Sequence, residues 1–135
     1  MSRSYMRYAL LVLEAPHARG AGYGALRFAQ AAVARGHTIS RVFFYADGVH
    51  NGSALATPPQ DEQDLVAAWH EFALTHGVEL AVCVAAALRR GVLDEGERDR
   101  YARAAATLDP AFVLTGLGQL AAAVLETDRI ITFGG

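Results

Sequence analysis

Short apolar runs alternate with amphipathic stretches along the chain. Tyr8 to Leu13 is a continuous apolar run, the pattern of a strand buried on both faces of a parallel sheet. Glu14 to Tyr23 contains Pro16, Gly20 and Gly22 and is expected to be a loop. Ala25 to Arg35 places Leu26, Ala29 and Val33 on one helical face, and Gly36 is a stop signal. Thr38 to Tyr45 predicts a second strand, with Ile39, Val42, Phe43, Phe44 and Tyr45. A solvated loop from Ala46 to Pro59 follows, ending on Pro58-Pro59.

Asp61 is the expected N-cap of a helix reaching Thr75, with Asp64 in its first turn. Leu65, Val66, Trp69 and Phe72 have helical spacing; core packing is the default role of Trp69 and Phe72, with an oligomer interface as the alternative. Val78 to Val84 predicts a third strand, followed by a short helix or turn from Ala85 to Arg90. Further expectations are a helix from Asp94 to Ala106, a strand at Phe112 to Thr115, a helix from Gln119 to Thr127 and a last strand at Arg129 to Phe133. Strand and helix patterns alternate throughout. The expected fold is α/β: a three-layer α/β/α sandwich with a mostly parallel five-stranded sheet, as one domain over residues 1–135. Periodicity does not give the strand order.

Charge and composition narrow the function. The 135 residues are 53% hydrophobic with a net charge of −2, so no polybasic surface for nucleic acid or anionic lipid is expected. Every basic residue apart from histidine is arginine. No apolar run approaches the length of a membrane span. The single cysteine precludes an intramolecular disulfide and suggests a reduced, cytoplasmic setting.

That cysteine is the main candidate for chemistry. Cys83 stands at the carboxyl end of the third strand, where parallel α/β proteins place their sites. The following helix start, with Arg89 and Arg90, could stabilise its thiolate or attract an acidic partner. Ordinary packing of Cys83 and helix-end electrostatics for the arginines explain the same residues. His50, in Asp47-Gly-Val-His-Asn51, becomes a polar neighbour of Cys83 only if its loop closes over the strand end; a solvated position is the simpler reading. Gly116-Leu-Gly118 is expected as a tight turn, with backbone donors for an anion as the functional alternative.

Other chemistries find less support. Gly20-Ala-Gly22-Tyr-Gly24 lacks the dinucleotide spacing, and no Gly-Lys-Ser/Thr follows. The five histidines are scattered without metal-ligand spacing, so no metal and no cofactor are expected. A Cys-His hydrolase requires an oriented base that the sequence does not supply. Asp61, Glu62 and Asp64 could face a basic partner, although helix-end stabilisation accounts for them.

Taken together, Phe43-Phe44-Tyr45-Ala46-Asp47-Gly48-Val49, Thr57 to Glu62 and the block from Val82 to Val92 around Cys83 resemble the DsrE/TusD family. Asp94-Glu95-Gly96, Gly116 to Leu120, Asp128-Arg129 and Phe133-Gly134 extend that resemblance to almost the whole chain. The resemblance implies a sulfurtransferase subunit in which Cys83 accepts sulfur as a persulfide. It further implies an upstream TusA-like donor and a DsrC/TusE-like carrier as acceptor. Two related subunits, DsrF/TusC-like and DsrH/TusB-like, would complete a heterohexamer. The implied pathway is 2-thiouridine synthesis in tRNA, favoured because it is widespread, ahead of dissimilatory sulfur oxidation or a noncatalytic scaffold role.

Overall fold

A computed structural model describes residues 4–18 and 21–135. Five strands, β1 (Arg7–Val12), β2 (Thr38–Phe44), β3 (Glu79–Cys83), β4 (Phe112–Thr115) and β5 (Arg129–Phe133), form one sheet in the order β4-β3-β2-β1-β5. All four pairings are parallel. The helices are α1 (Ala21–Ala34), α2 (Leu65–His76), α3 (Val84–Arg89), α4 (Glu95–Arg100) and α5 (Gly118–Glu126).

Topology determines which face each helix covers. The chain steps from β1 to β4 in one direction, then returns to place β5 on the far side of β1. Right-handed crossovers therefore put α1 and α2 on one face and α5 on the other. On the first face, Leu10, Val42, Leu80 and Phe112 lie in register, as do Val12, Phe44 and Val82. Phe28 of α1 meets Tyr8 edge-on at 5.2 Å, and Trp69 of α2 meets Phe44 at 5.5 Å. Such pairs contribute roughly 0.5–1.5 kcal/mol each beyond burial. Trp69 is fully buried, as its spacing predicts.

The second face is more thinly covered. The register Ala9–Arg41–Glu79 belongs to it, and the guanidinium of Arg41 bridges Glu79 at 2.7 Å and donates to the Gln119 carbonyl of α5 at 2.9 Å. Only Ala123 of α5 is buried, whereas Val124 and Leu125 are exposed.

Strand boundaries agree with the sequence pattern to within a residue or two, but the helices depart from it in three places. α1 begins at Ala21 rather than Ala25, because Gly22 and Gly24 cost helix stability without forbidding helix; Arg19 and Gly20 of the expected loop lie outside the described residues. The cap of α2 is Asp64, not Asp61: its carboxylate accepts the Ala67 N–H at 3.1 Å, immediately before the buried Leu65. The chain turns first at Pro59, whose carbonyl accepts the Glu62 N–H.

The helix expected from Asp94 to Ala106 ends at Arg100. None of its residues is buried, so tertiary packing does not extend it. Ala102 adopts a left-handed φ of 52°. The Arg103 and Ala102 N–H groups then bond the carbonyls of Arg98 and Asp99, closing a Schellman cap.

Candidate functional site

The carboxyl edge of the sheet is built by the segments that leave β1, β2 and β3. After β2 the backbone does not form the expected solvated loop. Ala46–Gly52 is a 3-10 helix with Gly48, Val49, Asn51 and Gly52 buried. Asn51 anchors it, donating from Nδ2 to the Glu14 carbonyl at 3.0 Å and to the Gly48 carbonyl at 2.9 Å. Gly48 lies against the Val12 carbonyl so closely that a Cβ would overlap the oxygen. This short helix contacts both β3 and α3.

Cys83 ends β3 and is the N-cap residue of α3. In the register it pairs with Thr115 of β4, on the thinly covered face. An accessible thiol would suit a relay site, but Cys83 is only 3% exposed and belongs to the hydrophobic core cluster. A position at a strand end is compatible with either a rim or the core, so the local sequence around the cysteine did not reveal this.

The structure brings some of the candidate residues together and separates others. Asp47, in the 3-10 helix, accepts from Arg90 Nε at 2.8 Å, and Arg90 also donates to the Ala86 carbonyl at 3.1 Å. The two segments flanking the end of β3 are thus tied together. Arg89 diverges: it is exposed and lines a separate cleft with Tyr101 and Arg103. His50 is half-buried within the 3-10 helix rather than in a loop. Gly116 and Gly118 lie just beyond Thr115, at the turn into α5. Both are exposed, and a Cβ at either would meet nothing within 4 Å. That open space fits a turn.

Two features escaped the sequence reading. Asn51 is fully buried and organises the carboxyl edge, but a lone Asn in a polar stretch carries no signal of that role. A cleft of about 430 Å³ lies between the segment after β1 and the start of α2, lined by Pro16, His17, Tyr23, Pro58, Glu62 and Leu65 among others. Cys83 does not line it. Of the histidines, His70 pairs with Asp109 at 2.7 Å, and the His76 ring packs on Phe72. Among the described residues no group of three or more His, Cys, Asp and Glu side chains could hold a metal ion. No described helix is long and apolar enough to cross a membrane.

Comparison with known proteins agrees with this architecture. Residues 6–133 match the DsrE/DsrF-like family. The chain is 49% identical over 130 residues to a protein named sulfurtransferase TusD homolog from Pseudomonas aeruginosa, spanning 96% of this chain and 98% of that one. It is 48% identical to sulfurtransferase TusD of Salmonella newport, over 95% of this chain and all of that one. A protein carrying the name DsrE, from Allochromatium vinosum, is 46% identical over 96% of this chain and 99% of its own length. The crystal structure of the E. coli YchN protein superposes with a TM-score of 0.74 over 95% of this chain, at 21% identity, and so shares its fold. By sequence, the chain belongs to the DsrE/DsrF-like family.

Proposed function

We propose that this protein is a sulfurtransferase subunit that carries sulfur as a persulfide on Cys83 and hands it to a small carrier protein of the DsrC/TusE type. One observation carries the reading. The chain has a single cysteine, at the carboxyl end of a parallel strand, and its near-full-length relatives at 48–49% identity are named sulfurtransferases. The donor is a TusA-like persulfide. The pathway is 2-thiouridine synthesis in tRNA, within a heterohexamer that adds DsrF/TusC-like and DsrH/TusB-like subunits. The likeness to the DsrE of Allochromatium vinosum supports sulfur oxidation as the second pathway.

The chemistry requires a thiolate and access. The Cys83 thiolate attacks the outer, sulfane sulfur of the donor persulfide. A new S–S bond forms on Cys83, and the donor leaves as its own thiolate. The carrier's thiolate then attacks that outer sulfur, and Cys83 leaves as thiolate. Each step exchanges one S–S bond for another, so no external oxidant or reductant is needed. As N-cap residue of α3, Cys83 stands next to the unpaired N–H groups of the first helical turn, and its thiol makes no cap hydrogen bond to them. A Cys83 that is 3% exposed cannot be approached in line. Transfer therefore requires the packing around Cys83 to open.

The same burial favours one competing role, a scaffold subunit with an inert thiol. Intact mass spectrometry after incubation with a persulfide donor separates the two. A reducible gain of one sulfur atom in the native protein, absent in Cys83→Ser, is expected of the relay. No gain, with Cys83 also resistant to alkylation in the presence of the partner subunits, would leave the scaffold role.

A further inference from the structure

A cleft of about 300 Å³ opens between the end of α3 and the segment that follows α4. Its lining residues are Leu88, Arg89, Leu93, Tyr101 and Arg103. Leu93 is buried, and Arg89, Tyr101 and Arg103 are exposed. Neither guanidinium has an ion-pair partner among the described residues: the arginines in salt bridges are Arg41, Arg90, Arg98 and Arg100. No Asp or Glu lines the cleft, although the chain carries 14 acidic residues.

Helix-end electrostatics account for Arg89, which lies in the last turn of α3. They do not account for Arg103. Its backbone N–H closes the cap of α4, and the residue lines the cleft together with Arg89. Two exposed guanidinium groups over an apolar floor, with no carboxylate in the lining, give the cleft a positive lining that suits an anionic ligand.

We propose that this cleft is the docking site for an acidic segment of a partner protein, with an apolar side chain between its carboxylates. The partner is the protein that exchanges sulfur with Cys83, so its identity rests on the relay function proposed above. Two guanidinium groups take carboxylates in forked hydrogen bonds, and Leu88, Leu93 and Tyr101 receive the apolar side chain. Arg89 is six residues beyond Cys83, about 9 Å along α3 at 1.5 Å per residue. About three extended residues span that distance at ~3.3 Å each. A segment anchored here thus delivers a thiol a few residues away to the start of α3. A nucleic acid would offer phosphates to the two guanidinium groups but no aliphatic side chain for Leu88 and Leu93, so it fits less well.

The test is a heteronuclear NMR titration of the 15N-labelled protein with the peptide Gly-Glu-Leu-Glu-Gly, its Gln-for-Glu and Lys-for-Glu versions, and an octamer of uridylate. The acidic peptide is expected to shift the amides of Leu88, Arg89, Leu93, Tyr101 and Arg103, and the other peptides to leave them in place. The pair of substitutions Arg89→Ser and Arg103→Ser should weaken acidic-peptide binding at least tenfold with an unchanged circular dichroism spectrum. Arg89→Glu with Arg103→Glu should transfer binding to the lysine peptide. Absence of shifts at these amides would overturn the proposal. Tighter binding of the uridylate octamer at the same amides would overturn it in favour of a nucleic-acid site. The readout is binding, so failure of Cys83 to take up sulfur would leave the cleft result standing, and the reverse also holds.

Discussion

Gly48 has no room for a side chain, whereas Gly118 has ample room. A Cβ on Gly48 would overlap the Val12 carbonyl oxygen, with more backbone, Leu13 Cα at 3.3 Å, close behind it. Backbone yields less readily than a flexible side chain, so Gly48→Ala is expected to destabilise by about 2 kcal/mol or more, read as a lower denaturant midpoint. Gly118→Ala meets nothing within 4 Å and starts α5, so stability should hold or rise by about 0.5 kcal/mol. Unchanged sulfur transfer in Gly118→Ala would assign Gly116-Leu-Gly118 to the turn alone; a large loss would reopen the anion-donor reading. The sequence displayed all three glycines equally. What distinguishes them is the proximity of β1 to the Ala46–Gly52 helix, a long-range contact. Cys83 was legible as the one residue with sulfur chemistry at a strand end, and its burial was not, for the same reason.

At the scale of elements, two junctions carry measurable consequences. The cap of α4 uses Ala102 at a φ of 52°, a conformation that glycine adopts without steric cost. Ala102→Gly is therefore expected to stabilise the protein by roughly 1 kcal/mol or less, seen as a higher thermal midpoint. No change would mean that the added unfolded-state entropy of glycine offsets the relief of strain. The Asp47–Arg90 pair joins the 3-10 helix to α3 across the end of β3. Asp47 is mostly exposed, so the pair stabilises by about 1 kcal/mol at most. Arg90→Ala should accordingly cost little stability and speed alkylation of Cys83, because the segments flanking it separate more readily. An unchanged alkylation rate would show that other contacts hold Cys83 closed. Helix existence was legible from the 3.6-residue pattern, but helix ends were not. Asp61 and Asp64 are equally good caps by composition, and only the burial of Leu65 selects Asp64. The polar stretch after Asp94 reads as helix by propensity, but with no buried face it stops at Arg100.

For the whole molecule, the order β4-β3-β2-β1-β5 leaves one face of the sheet under α5 alone. Leu117, Val124 and Leu125 are exposed there at 52%, 59% and 88%, with Val113 of β4 exposed on the same side. The heterohexamer proposed above requires apolar contact surface of this kind. Leu125→Asp should leave the isolated chain as stable as before, because Leu125 is almost fully solvated, and should lower co-purification with the two companion subunits. Undiminished co-purification would move the contact to another face. The alternation of five strands with helices, the buried character of the strands and the single candidate thiol are all legible along the chain. Those features are written in local periodicity and residue chemistry. The strand order, the burial of Cys83, the pairing of Arg90 with Asp47 and the separation of Arg89 into a cleft with Arg103 arise only in the folded chain. Each of these depends on which distant segments come to lie side by side, and a period of two or 3.6 residues carries no information about that.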